Sequence, residues 1–244
     1  MSIAMPDLQD RIALVTGAGR GIGRAIGRAL GACGAHVVLA ARSEDELRAV
    51  AAQIRKGGGQ ATPLRLDVAQ ESSILGVFKQ IQQRLGRLDI LVNNAGLGLY
   101  GPIRDFRTED LDKLLAVNLR GAFLCCREAL RLMEPRRSGY IVNVSSVVGF
   151  KAYANQAAYT ATKHGLAGLT KTLAQEAQPH GIRVSLVSPG GVDTDLVRAA
   201  RPDLDPSVLL QPEDIAQAVL YLLSLSERAA VDEIYIRRRA SQPF

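Results

Sequence analysis

The sequence alternates short apolar runs with longer amphipathic stretches, and this alternation restricts its fold more than any other feature. Residues 12–16 (IALVT) and 89–93 (DILVN) are almost continuously aliphatic instead of alternating apolar with polar side chains. Strands buried on both faces have this pattern, and such strands belong to parallel sheets. We therefore expect parallel strands over residues 12–16, 36–40, 61–66, 89–93, 140–144, 182–187 and 233–236.

The stretches between these strands have helical character, and we expect helices over residues 22–33, 44–56, 71–85, 109–133, 157–178 and 212–225. Ser43 followed by Glu46 is a capping-box pattern, and the glycines at 57–59 predict the end of the helix that begins there. Repeated β-α-β units predict a doubly wound α/β fold of the Rossmann type, with seven parallel strands and helices on both faces. Ligands of such folds bind beyond the carboxyl ends of the strands.

Composition places the chain among ordinary globular proteins. Its 244 residues are 47% hydrophobic and show no internal repeat or linker-like segment, so we expect a single domain over residues 1–244. Cys33, Cys125 and Cys126 lie in apolar stretches without metal-ligand spacing, which predicts no metal site and favours a reducing compartment. No signal-peptide pattern and no apolar run of about 18 residues is present, so we expect a cytoplasmic protein without membrane attachment.

The net charge is +6, and the basic residues are spread along the chain except for two short clusters, Arg136-Arg137 and Arg237-Arg238-Arg239. Groove binding to nucleic acid requires denser clustering, so no nucleic-acid partner is expected. Scattered arginines instead suit a soluble enzyme in which some of them bind anionic ligands.

A glycine-rich loop follows the first predicted strand. Glycines allow a sharp turn and close approach to a phosphate, and the next helix offers free N–H groups to a pyrophosphate. The spacing is Gly-x-x-x-Gly-x-Gly, and no Lys-Ser/Thr pair of an ATPase loop follows. The predicted dinucleotide contacts are Gly17, Gly19, Arg20, Gly21, Ile22 and Gly23.

The end of the second predicted strand indicates which dinucleotide binds. An acidic residue there would bond the ribose 2′-hydroxyl of NAD. The strand instead ends in Ala40-Ala41-Arg42, and the acids at 44–46 fit the first turn of the next helix. Arg42 and Arg20 suit a 2′-phosphate, so we predict NADP(H) rather than NAD(H).

Ser146, Tyr159 and Lys163 form the sharpest chemical pattern. Tyr159 and Lys163 are four residues apart on one predicted helix, so their side chains share a face. An ammonium near the phenol lowers the pKa of the tyrosine towards the pH at which general acid–base catalysis works best. The Ser146 hydroxyl, after the fifth predicted strand, can polarise the same carbonyl oxygen.

These residues carry a resemblance to a known family. Thr16-Gly-x-x-x-Gly-x-Gly23, Asn93-Asn94-Ala95-Gly96, Asn118, Ser146, Tyr159-x-x-x-Lys163 and Pro189-Gly190-x-Val192-x-Thr194 resemble, in order, the motifs of short-chain dehydrogenases/reductases of the single-domain branch. The resemblance covers roughly residues 8 to 225. It implies a reaction between a nicotinamide cofactor and a carbonyl compound or secondary alcohol.

The resemblance also implies a role for each matching residue. Tyr159 exchanges the proton of the substrate oxygen beside the nicotinamide, Lys163 lowers the pKa of Tyr159 and bonds the nicotinamide ribose, and Ser146 positions the substrate oxygen. Asn118 is similar to the residue that holds a water in a proton relay ending at Lys163; by sequence alone it is equally a polar residue at a helix kink. The further cofactor contacts that it implies are Asp67, Val68, Asn94, Ala95, Gly96, Pro189, Gly190, Val192 and Thr194.

The remaining inferences concern substrate and assembly. The tail, VDEIYIR, is more similar to NADP-dependent enzymes of hydroxy acids and alcohols than to 3-oxoacyl carrier-protein reductases. Arg136 and Arg137 either face an acidic carrier protein or form a solvated turn. Arg198 and Arg201, in a predicted lid at 195–210, either meet a carboxylate or face water. The candidate substrate contacts are Leu97, Leu99, Tyr100, Phe150, Tyr153 and Leu196.

We expect a homodimer or homotetramer, because the resemblance implies that the helices at 109–133 and 157–178 pair between subunits. Two alternatives to an enzyme of this branch remain. A catalytically silent dinucleotide-binding regulator would need none of the Ser, Tyr, Lys and Asn set, and a sugar-nucleotide epimerase would need a further substrate domain.

Overall fold

A computed structural model of the protein describes residues 5–200 and 205–242. Within these residues one parallel sheet has seven strands: β1 (Ile12–Thr16), β2 (His36–Ala41), β3 (Gln60–Arg65), β4 (Ile90–Asn93), β5 (Gly139–Val144), β6 (Ile182–Pro189) and β7 (Glu233–Ile236). Each strand begins and ends within two residues of its predicted range. The strand order is β3-β2-β1-β4-β5-β6-β7, which confirms the predicted doubly wound fold of the Rossmann type.

Helices cover both faces of the sheet. Their bounds in the described residues are α1 (Gly21–Ala32), α2 (Glu44–Lys56), α3 (Glu71–Leu85), α4 (Thr108–Leu115), α5 (Gly121–Met133), α6 (Ala157–Ala177), α7 (Asp195–Ala200) and α8 (Pro212–Ser224). Val15 of β1 packs in the core that holds α1, α2 and α8, whereas its neighbour Leu14 packs in the core that holds α3, α5 and α6. Alternate residues of each strand thus enter different cores, which explains the near-continuous apolar runs.

The predicted helix over residues 109–133 is not continuous. A π-helical turn, Ala116–Arg120, separates α4 from α5. Such a turn inserts one extra residue per turn and rotates the side chains that follow it, and π turns are frequent at functional sites. Here it directs Asn118 inwards, where the side chain is 1% exposed.

Arg136 and Arg137, the first basic cluster, stabilise the end of the sheet opposite the glycine loop. Arg136 lies 3.0 Å from the buried carboxylate of Asp89, which also accepts hydrogen bonds from Arg87 and from the backbone N–H of Ile12. Arg137 donates to the carbonyl oxygen of Pro179. Neither guanidinium is the freely solvated charge that a simple surface turn would present, and Arg136 is committed to an intramolecular ion pair.

In the part of the chain that is described, every helix is too short or too polar to cross a bilayer.

Candidate active site

A cleft of about 1030 Å³ opens at the carboxyl ends of the strands. It brings together most of the residues that the sequence analysis selected. Those in its walls are Gly17, Gly19, Arg20, Gly21, Ile22, Arg42, Asp67, Val68, Asn94, Ala95, Gly96, Ser146, Tyr159, Lys163, Pro189, Gly190, Val192 and Thr194. Gly23 and Asn118 lie behind these walls and support them.

The glycine loop between β1 and α1 is built so that only glycine fits. Gly17 and Gly21 have φ angles of +67° and +52°, which favour glycine. A Cβ atom at Gly23 would clash with the carbonyl oxygen of Gly17 and would lie 2.5 Å from Nδ2 of Asn94. The loop therefore exposes bare backbone at the start of α1, and this arrangement fits the pyrophosphate of a dinucleotide.

Thr16 and Asn94 join the glycine loop to the end of β4. The Thr16 hydroxyl accepts hydrogen bonds from the backbone N–H groups of Asn94 and Ala95, each at 3.0 Å. The Asn94 amide donates to the carbonyl oxygens of Thr16 and Gly17 at 3.0 and 3.3 Å. Asn94 thus positions the loop. Thr16 was not among the predicted site residues, although its place at the end of β1, next to the glycine loop, indicated a role in the site.

The adenosine end of the cleft carries the two arginines predicted to favour a 2′-phosphate. Arg42 is exposed in the cleft wall, and no carboxylate of the described residues lies within 4 Å of its guanidinium. Arg20 instead lies 3.2 Å from Asp195, with both side chains 65% exposed. An ion pair so exposed contributes little, about 0–1 kcal/mol, and leaves Arg20 able to exchange partners. Asp67 sits beneath, where its carboxylate accepts from Ala69 N–H.

The segment after β6 closes the cleft from the opposite side. The backbone N–H of Gly190 donates to the carbonyl oxygen of Ile236, and Val192 is 2% exposed. A Cβ atom at Gly21 would lie 3.1 Å from the Thr194 methyl group, so this segment packs directly on the glycine loop. The order Pro-Gly-x-Val-x-Thr therefore shapes the wall between the loop and the catalytic candidates.

Ser146, Tyr159 and Lys163 meet at the other end of the cleft. Ser146 follows β5, and its hydroxyl accepts from the Val148 N–H at 3.3 Å. Tyr159 and Lys163 lie one turn apart in the first half of α6, and the Lys163 amine is 5.7 Å from the centre of the Tyr159 ring. The amine donates to the carbonyl oxygen of Val144 at 3.2 Å. The predicted shared face of these side chains is thus present.

Burial dominates the pKa values of Tyr159 and Lys163. Burial raises the pKa of Tyr159 above its ordinary value, nearby Tyr100 raises it further, and hydrogen bonding with Ser146 acts in the opposite direction. Burial lowers the pKa of Lys163 to about 8. Removal of water dominates both groups, and the Lys163 amine points to the end of β5, so the lowering of the Tyr159 pKa by Lys163 stays a prediction.

Asn118 connects the π turn to the loop after β4. Its Oδ1 accepts from the Leu97 N–H and its Nδ2 donates to the Leu97 carbonyl oxygen, both at 2.9 Å. Nδ2 also lies 3.2 Å from the hydroxyl of Thr162 on α6. The side chain thereby links three elements that surround the catalytic end, while the water relay implied by the resemblance stays a prediction.

The predicted substrate contacts divide into two groups. Leu97, Tyr100, Tyr153 and Leu196 line the cleft, whereas Leu99 and Phe150 do not. The ring of Tyr100 meets that of Tyr159 edge-on at 5.4 Å.

The two arginines of the predicted lid differ in what is known of them. Arg198 binds Asp193 through two hydrogen bonds of 2.7 and 2.9 Å, and Arg201 lies outside the described residues. Closure of residues 195–210 as a lid stays a prediction.

Sequence reasoning missed the end of β7 and the chain after it as part of the site. Tyr235, Arg237, Arg238, Ala240, Ser241 and Gln242 all line the cleft. The run of three arginines was the only signal in the sequence that could have found them. Within residues 5–200 and 205–242, no three His, Cys, Asp or Glu side chains group closely enough to hold a metal ion.

Comparisons with known proteins agree with this geometry. A sequence model of the family described as short chain dehydrogenase matches residues 11–205. An uncharacterised oxidoreductase of Staphylococcus aureus strain MRSA252 is 37% identical over 96% of this chain and 99% of that protein.

Two solved structures are similar throughout. A metagenomic short-chain oxidoreductase in complex with NADP has a TM-score of 0.86 and 37% identity, covering 96% of this chain and 100% of that one. An alcohol dehydrogenase from the archaeon Thermococcus sibiricus, complexed with 5-hydroxy-NADP, has a TM-score of 0.89 and 30% identity, covering 96% and 99%. The chain belongs to the short-chain dehydrogenase/reductase family and is an oxidoreductase of that type.

Proposed function

We propose that the protein is an NADP(H)-dependent carbonyl reductase, which acts as an alcohol dehydrogenase in the reverse direction. One observation carries the proposal: two hydroxyl groups and an amine, from Ser146, Tyr159 and Lys163, converge in the same cleft as a bare-backbone glycine loop. A protein that only holds a dinucleotide needs the loop but has no use for the three polar groups.

The residues of the cleft account for each part of the cofactor. The glycine loop and the first N–H groups of α1 suit the pyrophosphate, and Arg42 suits the 2′-phosphate. The Lys163 amine would bond the nicotinamide ribose, and residues 189–194 would hold the carboxamide. When bound, the nicotinamide ring exchanges a hydride with the substrate carbon. NADP and 5-hydroxy-NADP in the two similar structures support this choice of cofactor.

Tyr159 supplies the proton in the reductive direction. Its raised pKa keeps the phenol protonated at neutral pH, so it is a donor to the carbonyl oxygen as negative charge develops there. The carbonyl π electrons become the new O–H bond, and the proton lost by Tyr159 is replaced from solvent. Ser146 supplies a second hydroxyl for the same oxygen, which stabilises the developing charge.

Asn118 acts as a positioning residue in this proposal. It does not line the cleft, and its side-chain hydrogen bonds reach Leu97 and Thr162 instead of the catalytic groups. Through them it fixes the loop after β4 against the helix that carries Tyr159 and Lys163.

Steady-state NADPH oxidation with a panel of ketones, 3-oxoacyl thioesters and oxo acids tests the proposal. Tyr159→Phe should lower kcat by at least about 100-fold, the usual scale of a lost general acid, while NADPH binding is retained. Tyr221→Phe on the exposed side of α8 is the matched control and should leave kcat unchanged. Wild-type protein that binds NADPH but reduces no carbonyl would support a silent regulator instead.

We also propose a homo-oligomeric, cytoplasmic protein. Leu111, Leu115 and Phe123 on α4 and α5 are 36%, 37% and 50% exposed, and apolar side chains grouped this way suit a subunit contact. The three cysteines are free thiols, as suits a reducing compartment. Light scattering of the purified protein tests the assembly, and a monomeric mass at micromolar concentration would contradict it.

A further inference from the structure

Two arginines of the second basic cluster, Arg237 and Arg238, lie in the wall of the cleft, in the segment 237–242 that follows β7, here called the tail. Gly190 donates its backbone N–H to the carbonyl oxygen of Ile236 at 2.7 Å, which ties the start of the tail to the end of β6. A Cβ atom at Gly191 would lie 3.5 and 3.6 Å from Cδ and Nε of Arg238. The Arg238 side chain therefore runs directly over the segment proposed to hold the nicotinamide.

The tail has a defined conformation held by its own side chains. Arg237 donates to the carbonyl oxygens of Arg238, Arg239 and Ser241 at 3.2, 3.2 and 2.6 Å. Nε of Arg238 donates to the Ser241 hydroxyl at 3.1 Å. The Lys151 amine, on the loop after β5, donates to the carbonyl oxygen of Gln242 at 3.2 Å. These contacts hold the guanidinium groups of Arg237 and Arg238 in the wall of the cleft.

Two acidic side chains in the same walls are engaged in ion pairs elsewhere. Asp193 binds Arg198 and Asp195 lies beside Arg20, so neither neutralises the tail. Among the residues that are described, no carboxylate lies within 4 Å of the guanidinium of Arg237 or Arg238. Nη1 of Arg237 donates to three backbone oxygens of the tail, whereas the two Nη groups of Arg238 have no hydrogen-bond acceptor within the described chain.

The first basic cluster shows the contrast. Arg136 is neutralised by the buried carboxylate of Asp89 at 3.0 Å and therefore serves the fold. Arg238 has the same chemistry in a cleft but no such partner, and a guanidinium with two free donor groups matches the two oxygens of a carboxylate.

We propose that Arg238 binds an anionic group of the substrate, so that the enzyme prefers carbonyl compounds and alcohols that carry a carboxylate. This inference rests on the proposed reductase function. It assigns the choice of substrate to the tail and the proton transfer to Tyr159. A phosphate ester shares the chemistry of recognition and is distinguished below.

Matched substrates test the proposal. The probes are 3-oxobutanoate, 4-oxopentanoate and 5-oxohexanoate, each with its uncharged methyl ester, and dihydroxyacetone phosphate beside dihydroxyacetone. The wild-type enzyme with NADPH should show kcat/KM higher for the acids than for their esters. Arg238→Gln should lower kcat/KM for the acids by about 10- to 100-fold, mainly through KM, the scale of one lost charge-assisted hydrogen bond, and leave the esters unchanged.

Two further variants separate charge from structure. Arg239→Gln removes the same charge from the neighbouring exposed residue, which does not line the cleft, and should leave both substrate classes unchanged. Ser241→Ala removes the hydrogen bond to Arg238 but no charge, so it should retain the preference for acids.

The outcomes are distinct. Esters reduced as well as acids, or equal losses in Arg238→Gln and Arg239→Gln, would overturn the anion site and leave the reductase function standing. Preference for the phosphate alone would overturn the carboxylate assignment. If no substrate is turned over, titration of the NADP⁺-loaded protein with pentanoate and pentanamide tests the anion site. Tighter binding of pentanoate that is lost in Arg238→Gln supports the site, and equal binding of the two compounds overturns it.

Discussion

Asn118 forms paired hydrogen bonds with the backbone of Leu97, both 2.9 Å long, although the two residues are 21 positions apart. The π turn at Ala116–Arg120 makes this pairing possible, because it rotates the amide out of the α-helical register and into the loop after β4. That loop continues into the substrate end of the cleft at Leu97 and Tyr100. The pairing therefore connects a helix irregularity with the geometry of the site.

Asn118→Ala should destabilise the protein and impair turnover. The change leaves the partly buried N–H and carbonyl oxygen of Leu97 without their partner, which costs about 1–3 kcal/mol. Denaturant unfolding and kcat with a ketone measure the two effects. Gln53→Ala, at an exposed position of α2, is the control and should change neither. Full stability and full kcat in Asn118→Ala would show that the pairing is incidental.

Gly23→Ala should weaken NADPH binding. The added Cβ meets the carbonyl oxygen of Gly17 and the amide of Asn94, so the loop must shift from the position that fits a pyrophosphate. We expect a loss of at least about tenfold in affinity, the equivalent of a modest overpacking strain. Fluorescence titration with NADPH measures it.

Gly76→Ala in α3 is the matched control for that variant. A Cβ atom there meets nothing within 4 Å, and replacing glycine in a helix interior stabilises by roughly 1 kcal/mol. Gly76→Ala should thus raise the free energy of unfolding and leave the affinity for NADPH unchanged. Unchanged NADPH affinity in Gly23→Ala would mean that the loop does not hold the cofactor.

The sheet, most helices and the residues around the cleft were predictable because their signals are local. A buried strand such as β1 shows its apolar run, and the glycine loop shows its spacing, within a few residues. The π turn was not predictable, since Ala-Val-Asn-Leu suits a regular helix and the partner that rotates Asn118 is Leu97, distant in sequence.

Two features of the site depend on three-dimensional placement that no spacing contains. The four-residue separation of Tyr159 and Lys163 fixes a common helix face, but it does not determine that the amine turns towards Val144 or how much water remains. The course of the tail after β7 is likewise set by contacts with Gly190 and Gly191. The run of arginines therefore indicated the charge of the tail but not that the tail lies in the cleft wall.

Combining Ala41→Asp with Arg42→Ala should shift the cofactor preference from NADPH towards NADH. The first change supplies an acceptor for a ribose 2′-hydroxyl, and the second removes a charge-assisted contact with the 2′-phosphate, worth about 1.5–3 kcal/mol. The ratio of kcat/KM for the two cofactors should therefore fall by at least about tenfold. Arg48→Ala, which removes an exposed arginine from α2, the helix that follows Arg42, and lies away from the cleft, is the control. Unchanged KM values for both cofactors in the double variant would contradict the assignment of Arg42.

The two directions of the reaction should respond oppositely to alkaline pH. Because burial raises the pKa of Tyr159, the phenol is protonated at neutral pH and ready for reduction, whereas alcohol oxidation needs the phenolate as proton acceptor. Oxidation of a secondary alcohol should therefore increase as pH rises from about 7 to about 10, while reduction holds and then declines. Profiles of kcat/KM in both directions measure this. Oxidation that is fully active at neutral pH and flat above it would show that Tyr159 titrates low.

Lys163→Met should stabilise the cofactor-free protein at neutral pH. Burial lowers the pKa of Lys163 from 10.5 to about 8, so between these pH values the unfolded chain holds a proton that the folded chain releases. Below about pH 8 the buried ammonium thus destabilises the native state by up to roughly 3 kcal/mol, and the hydrogen bond to Val144 offsets part of this. The stability of the native state recovers as the pH rises to about 10.5. Urea unfolding should show the variant more stable than wild type at pH 7 and this advantage shrinking towards pH 10. Lys171→Met, at an exposed position of the same helix, should show no such pH-dependent difference. If Lys163→Met gives no gain in stability, or the same gain at pH 7 and pH 10, the amine remains hydrated in the native state. The buried ammonium would then not destabilise the fold.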